Sequence, residues 1–123
     1  MSWNPYENYE SLSPAASFSL TSSDLRQGEK LAMPQVSGVF GAGDVSSSGL
    51  PPGAFHLPND ARTTRYVGAA PPEGTGKHRY IFAALALDTE KVEIDREATP
   101  AWLMYILLGC TLGRAFLEGW YER

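Results

Sequence analysis

A chain of 123 residues is long enough for one domain, and a net charge of −4 argues against a nucleic-acid partner, which would require a basic face. Hydrophobic residues make up 43% of the chain and charged residues 20%, proportions that exclude wholesale disorder. We therefore expect a single folded domain over residues 1–123.

Cysteine usage and hydropathy indicate where such a chain resides. Cys110 is the single cysteine, so no disulfide can form within the chain, which is typical of a reducing compartment. The first residues have neither the basic nor the apolar region of a secretory signal, so we expect a cytoplasmic protein. The longest uncharged stretch, 98–113, is shorter than the ~20 apolar residues of a membrane span, and we expect no transmembrane segment.

The first half of the chain carries weak strand signals. Residues 1–16 predict an irregular lead-in, and 17–22 alternate apolar residues with serine and threonine, which predicts a short strand. A second weak strand is expected at 35–40. Residues 38–53 are rich in glycine, serine and proline and predict a junction without regular structure. Residues 55–57 could pair at a sheet edge.

The second half carries stronger signals. Residues 79–87 are apolar on both alternating faces, as in a central strand that is covered on both sides. Thr99 as cap and Pro100 as first residue predict the start of a helix, which the apolar pattern extends to about residue 118.

This helix is expected inside the protein. Its first half is apolar all round, so Trp102 or Tyr105, together with Ile106, should be buried. The predicted fold class is therefore mostly β, with a buried C-terminal helix.

Residues that could carry catalysis or hold a metal are sparse. A serine or cysteine nucleophile needs a nearby base, and only His56 and His78 are available. Cys110 lies among leucines, where a thiol is normally inert. Two histidines so far apart along the chain are no metal cluster, and the acidic residues at 90–97 are typical of a solvated loop. We expect no catalytic residue, no metal and no cofactor, and hence a protein that is not an enzyme.

One segment, 59–80, has a more specific composition. Glycines and prolines at 68–76 predict a stiff, sharply bent loop that delivers His78 and Tyr80 to the mouth of the strand at 79–87. Such a loop could form a small polar pocket, but on composition alone a tight turn with His78 bound to a backbone carbonyl is the more ordinary interpretation.

The segment resembles the second signature of the phosphatidylethanolamine-binding protein family, of the bacterial Raf-kinase-inhibitor-like type. That signature is Tyr-x-Gly-x-x-Pro-Pro-x-Gly-x-x-His-Arg-Tyr, and this chain has it with one extra residue after the second glycine. The resemblance implies an antiparallel Greek-key fold and a pocket for a small anion or phospholipid head group. The ligand-binding positions that it implies are Gly68, Pro71, Pro72, His78 and Tyr80.

The chain also departs from the family pattern. The first signature, an Asp-Pro-Asp-Ala-Pro loop, and the His-Trp strand that follows it are missing, and the shortening falls in the junction at 38–53. A histidine of the family's closing helix corresponds to Cys110 here. Loss of half the pocket should weaken anion binding.

Three functions follow as alternatives. The first is weakened binding of a small anion or phospholipid head group. The second is a protein-interaction or regulatory domain, in a kinase pathway or as a protease inhibitor, that does not use the pocket. The third is a truncated paralogue that binds nothing. Because missing strands would leave unpaired edges and apolar faces uncovered, we also expect a homodimer.

Overall fold

The computed structural model of the protein describes residue 4 and residues 6–10, 15–32 and 50–123. The two helices are α1 (Glu7–Glu10) and α2 (Pro100–Leu107). Four strands form one sheet: β1 (Ala16–Ser17), β2 (Glu29–Lys30), β3 (His78–Leu87) and β4 (Thr111–Tyr121). The predicted class, mostly β with a helix in the C-terminal region, is confirmed.

Strand β4 is the middle of the sheet. It pairs with β3 in antiparallel fashion along its whole length, from Thr111 to Tyr121. The short strands β1 and β2 pair with β4 in parallel fashion at Gly113 and Gly119 respectively, and so share its other edge. The segment that joins β1 to β2 therefore leaves the edge of β4 and returns to it six residues further along.

The two faces of β4 differ in side-chain size. Gly113, Ala115, Leu117 and Gly119 alternate along the strand and are all buried. They face the core cluster, whose fully buried members are Leu25, Leu31, Ala69 and Leu117. The intervening residues are larger and half-buried: Arg114, Phe116, Glu118 and Trp120. The small residues let the core segments approach the sheet closely on one face.

The helix predicted for 100–118 is wrong in its second half. Thr99 caps α2 as predicted, because its hydroxyl accepts the Trp102 N–H at 3.2 Å, and Pro100 occupies the first turn. However, α2 ends at Leu107 and the chain turns at 108–110 into β4. Cys110 therefore lies in a turn, where its thiol donates to the Ile106 carbonyl at 3.7 Å.

The predicted burial of α2 is also wrong for its aromatic residues. Trp102 is 52% exposed and Tyr105 is 62% exposed, while Ile106 is half-buried and Leu107 is buried. An apolar helix needs only one buried face to be held in place, and α2 packs through that face alone. The other face carries Trp102 and Tyr105 into solvent.

The strand predictions met different outcomes. Strand β3 forms where predicted, but it is not central: within the described residues its strand partner is β4, on one edge. A strand with two apolar faces must be covered above and below the sheet. This pattern does not determine whether another strand pairs with each of its edges. Only the start of the 17–22 prediction is a strand, and 55–57 form none. The strand expected at 35–40 and most of the junction at 38–53 lie outside the described residues.

Candidate functional site

His78 and Tyr80 lie on the same face of β3, at the end of the sheet where the chain enters the strand. Alternate residues of a strand share a face, and residues directly opposite each other in a pair do too. Across the pair His78 lies opposite Tyr121, and Tyr80 lies opposite Gly119, which belongs to the core face of β4. Tyr80 packs against the core cluster, whereas His78 sits at its rim.

His78 is held by the loop that precedes it. Its Nε2 atom lies 2.7 Å from the Thr75 hydroxyl, which itself donates to the Pro72 carbonyl at 2.7 Å. Because a hydroxyl has one proton to give, Thr75 must accept from His78, and the imidazole carries a proton on Nε2. The ring is therefore fixed in orientation by the loop.

Glycines give the 68–76 loop its shape, as predicted. Gly68, Gly74 and Gly76 have φ angles of 78°, 73° and 82°, in the left-handed region that side chains disfavour. Pro71 is buried and Pro72 is exposed. The Gly74 N–H donates to the Arg123 carbonyl at 3.1 Å, so it is engaged within the chain instead of being offered to an anion.

Tyr80 belongs to a second small group of polar atoms. Burial raises its pKa, while Arg123 and a hydrogen bond from the Ala70 backbone act in the opposite direction. Burial also raises the pKa of Tyr66, with a further contribution from nearby Tyr80. Both tyrosines of the signature and a terminal arginine therefore meet beside the loop. This grouping can hold a hydroxyl or an anionic oxygen.

Cations surround the same end of the sheet. The Lys77 ammonium lies 4.1 Å from the centre of the Trp120 ring, and Lys30 lies 5.6 Å from it. Lys30 also lies 5.4 Å from the Tyr121 ring. Aromatic faces attract cations, so the two lysines are kept at this end of the sheet without an acidic partner being needed. Trp120 points to the face of β4 opposite to His78 and Tyr80.

The two cavities described for this structure lie away from His78. One, of about 470 Å³, lies between α1, the residues around β1 and β4. The other, of about 900 Å³, is lined by His56, Glu90, Lys91, Arg96 and mostly apolar residues, with Arg96 stacked 4.3 Å from the Phe55 ring. Side chains that could bind a metal form no group of three or more in the described part of the chain.

Thr75 and Arg123 were missed by the sequence analysis. Thr75 carried a usable signal, because a hydroxyl between two turn-forming glycines three residues before a histidine is placed to fold back on it. Arg123 carried none, since its approach to Tyr80 depends on the antiparallel register that brings the end of β4 beside the start of β3.

Comparisons with known proteins identify the family. The sequence model of the family described as phosphatidylethanolamine-binding protein matches residues 15–122. This match covers most of the chain, and the chain therefore belongs to the phosphatidylethanolamine-binding protein family.

Several relatives can be aligned. The UPF0098 protein YbhB of Escherichia coli is 44% identical over 62 residues, which are 50% of this chain and 37% of that protein. The UPF0098 protein YbcL of the same species is 35% identical over 81 residues, 66% of this chain and 44% of that protein. The chain therefore matches less than half the length of these curated relatives.

The fold is similar to a solved structure as well. The crystal structure of Escherichia coli YbcL, described as a member of the mammalian PEBP family, matches with a TM-score of 0.65 and 23% identity. The match covers 84% of this chain and 96% of that one. Among the described residues, no helix is long and apolar enough to cross a membrane.

Proposed function

We propose that this chain binds a small anion, either a free phosphate or the phosphate of a phospholipid head group, beside His78 and Tyr80. The observation that carries the proposal is the arrangement of His78. Thr75 fixes its ring at the mouth of β3, on the face where Tyr80 meets Arg123. Membership of the phosphatidylethanolamine-binding family supports the same ligand class.

Few groups remain to hold an anion, so the affinity should be low. The Gly74 N–H is bound to the Arg123 carbonyl, which leaves the His78 imidazole and the Arg123 side chain as the groups that could hold an anion. We expect dissociation constants in the millimolar range, which correspond to about −4 kcal/mol.

Ring NMR shifts of His78 during titration with inorganic phosphate and with phosphoethanolamine test this proposal. His56 is an internal reference, because it lies in the separate cavity beside Arg96. Saturable shifts at His78 that are absent at His56 are the expected result, and His78→Gln should abolish binding whereas His56→Gln should not. Stronger binding of phosphoethanolamine would indicate a head group, and equal binding a free phosphate. Equal, linear shifts of both rings would exclude the site.

We also propose that the protein is not an enzyme, resides in the cytoplasm and does not bind nucleic acid. The Cys110 thiol is bound to the Ile106 carbonyl and not to a histidine, and an unpaired thiol suits a reducing compartment. The net charge of −4 disfavours polyanions. Cell fractionation checks the location, and recovery of the protein in the membrane or secreted fraction would contradict it.

A second function, protein interaction, is favoured by α2. Trp102 and Tyr105 are stacked with ring centres 5.0 Å apart and an interplanar angle of 22°, yet both rings are mostly exposed. Leu108, which follows at the same three-residue spacing, is 40% exposed. Exposed aromatic clusters of this kind mark interfaces, and we propose that a second copy of the chain covers this face as a homodimer. The mass of the protein in solution, from light scattering, tests the assembly.

A further inference from the structure

The cavity of about 470 Å³ lies at the edge of β4 that pairs with β1, away from the edge that pairs with β3. Helix α1, the residues around β1 and strand β4 enclose it. Its walls are mainly aromatic, and the side chains that matter for the argument are Tyr6, Tyr9, Phe18, Arg114 and Phe116. The volume falls in the range of about 300–1,000 Å³ that is usual for small-molecule sites.

The aromatic walls are attached to β4. The Tyr6 and Tyr9 rings both meet Phe116 edge-on, with ring centres 5.0 Å and 5.1 Å away. The Tyr6 hydroxyl donates to the Glu118 carboxylate, which fixes one side of α1. On the other side, the Phe18 N–H donates to the Arg114 carbonyl at 3.3 Å. The α1 region and the residues after β1 are therefore both attached to β4, and the cavity lies between them.

Arg114 is the one charged residue among those that line the cavity. The acid of the same strand, Glu118, is bound to the Tyr6 hydroxyl. A guanidinium has five N–H donors in a planar fork, so it can hold a carboxylate while it keeps a contact within the chain. The lining therefore matches a ligand that is apolar over most of its surface and carries one negative charge.

We infer that this cavity binds an apolar monocarboxylate. Its hydrophobic body would lie among Tyr6, Tyr9, Phe18 and Phe116, and its carboxylate on Arg114. Aromatic walls supply most of the contact area, and the charge-assisted hydrogen bonds to Arg114 select an acid over a neutral molecule of the same shape. This site is separate from the proposed anion site, because its lining shares no residue with the group of His78, Tyr80 and Arg123.

The decisive experiment compares two ligands that differ only in charge. Calorimetric titration of the full chain with phenylbutyrate and with its amide, phenylbutyramide, keeps the apolar body constant. We expect the acid to bind at least about tenfold more tightly, since charge-assisted hydrogen bonds are the stronger kind. Equal affinities, or no binding of either ligand, would overturn the inference without any variant being made.

Variants then locate the site. Arg114→Met should lower the affinity for phenylbutyrate about tenfold, to that of the amide, and leave amide binding unchanged. Arg65→Met is the matched control, because Arg65 is an exposed cation that does not line the cavity. Tyr9→Ala should weaken the binding of both ligands to the same extent. Because Tyr9 lies in α1, outside the sheet, this variant still tests the site if Arg114→Met fails to fold. Unchanged phenylbutyrate binding in both Arg114→Met and Tyr9→Ala would place the ligand elsewhere.

Discussion

Tyr80 of β3 lies directly opposite Gly119 of β4. Because Gly119 has no side chain, Leu31 and Leu25 occupy the space beside it. A Cβ atom on Gly119 would lie 2.7 Å from Leu31 Cδ2, 2.9 Å from Leu25 Cδ1 and 3.1 Å from the Glu29 carbonyl oxygen. Both leucines are buried, so neither can easily move away. Gly119 thereby sets the distance between the sheet and the segment that carries β2.

Gly119→Ala should therefore destabilise the protein. We expect the free energy of unfolding to fall by about 1–2 kcal/mol, because an added methyl group overpacks a filled core. Gly109→Ala is the matched control, since a Cβ at Gly109 meets nothing within 4 Å. Urea unfolding of the two variants measures the difference. Equal stability of Gly119→Ala and the unaltered protein would show that the core is looser than its packing indicates.

The same strand explains which part of the fold could not be predicted from the sequence. Residues 112 and 116 are apolar at a helical spacing, and they were assigned to a continuation of α2. The two-residue alternation of small and large residues from Gly113 to Trp120 was the stronger signal. In contrast, β3 and the start of α2 were predictable, because continuous apolarity and the Thr99-Pro100 cap are local features. The exposure of Trp102 is not local, since it depends on what else covers the helix.

Tyr6 makes the stability of the protein depend on pH. Burial, followed by its hydrogen bond to Glu118, raises the pKa of Tyr6 from 10.0 to about 12. A pKa that is higher in the folded state means that the stabilisation is complete below about pH 10 and is lost as the pH rises towards 12. At this partly exposed position solvent screening leaves about 1 kcal/mol of stabilisation.

Comparison with Tyr6→Phe isolates this effect. The unaltered protein should be more stable than the variant by about 1 kcal/mol at about pH 9, and the difference should shrink by about pH 11. Tyr9→Phe is the control. Tyr9 packs on the same Phe116 ring, whereas the hydrogen bond to the Glu118 carboxylate is made by Tyr6. A difference that is constant between the two pH values would exclude a role for Tyr6 ionisation.

The hydrogen bond to Thr75 should slow the exchange of the His78 ring proton with water. Because Thr75 donates to the Pro72 carbonyl and accepts from His78 Nε2, that proton should exchange with water slowly enough to give an NMR resonance. Thr75→Val should remove the resonance and cost about 0.5–1 kcal/mol of stability, whereas Thr75→Ser should keep both hydrogen bonds. A resonance that persists in Thr75→Val would mean that another group binds the ring.

The candidate site was only partly predictable for a related reason. The signature placed His78 and Tyr80 correctly at the mouth of β3, and the glycines predicted a bent loop. The engagement of the Gly74 N–H with the Arg123 carbonyl joins residues far apart in the chain, and only the β3–β4 register brings them together. The sequence therefore predicted the position of His78 and Tyr80 at the start of β3, but not the contacts of Thr75 and Arg123 or the occupied Gly74 N–H.

The exposed face of α2 gives the sharpest test of assembly. In a two-fold dimer each substitution occurs twice, and Trp102→Lys would place two positive charges in an apolar contact. We expect the dimer dissociation constant to rise about thirtyfold or more, since a central tryptophan commonly contributes about 2 kcal/mol to an interface. Because Trp102 is half-exposed in the protomer, the variant should still unfold cooperatively.

Val67→Lys is the matched control for this prediction, because Val67 is an exposed apolar residue, at 44%, that lies outside α2. Light scattering over a range of protein concentrations should show a dimer for the unaltered chain and for Val67→Lys, and a monomer for Trp102→Lys. A monomeric unaltered chain would exclude the homodimer. A dimer that withstands Trp102→Lys but not Val67→Lys would move the interface from α2 to the loop beside Gly68, where a partner would also cover His78.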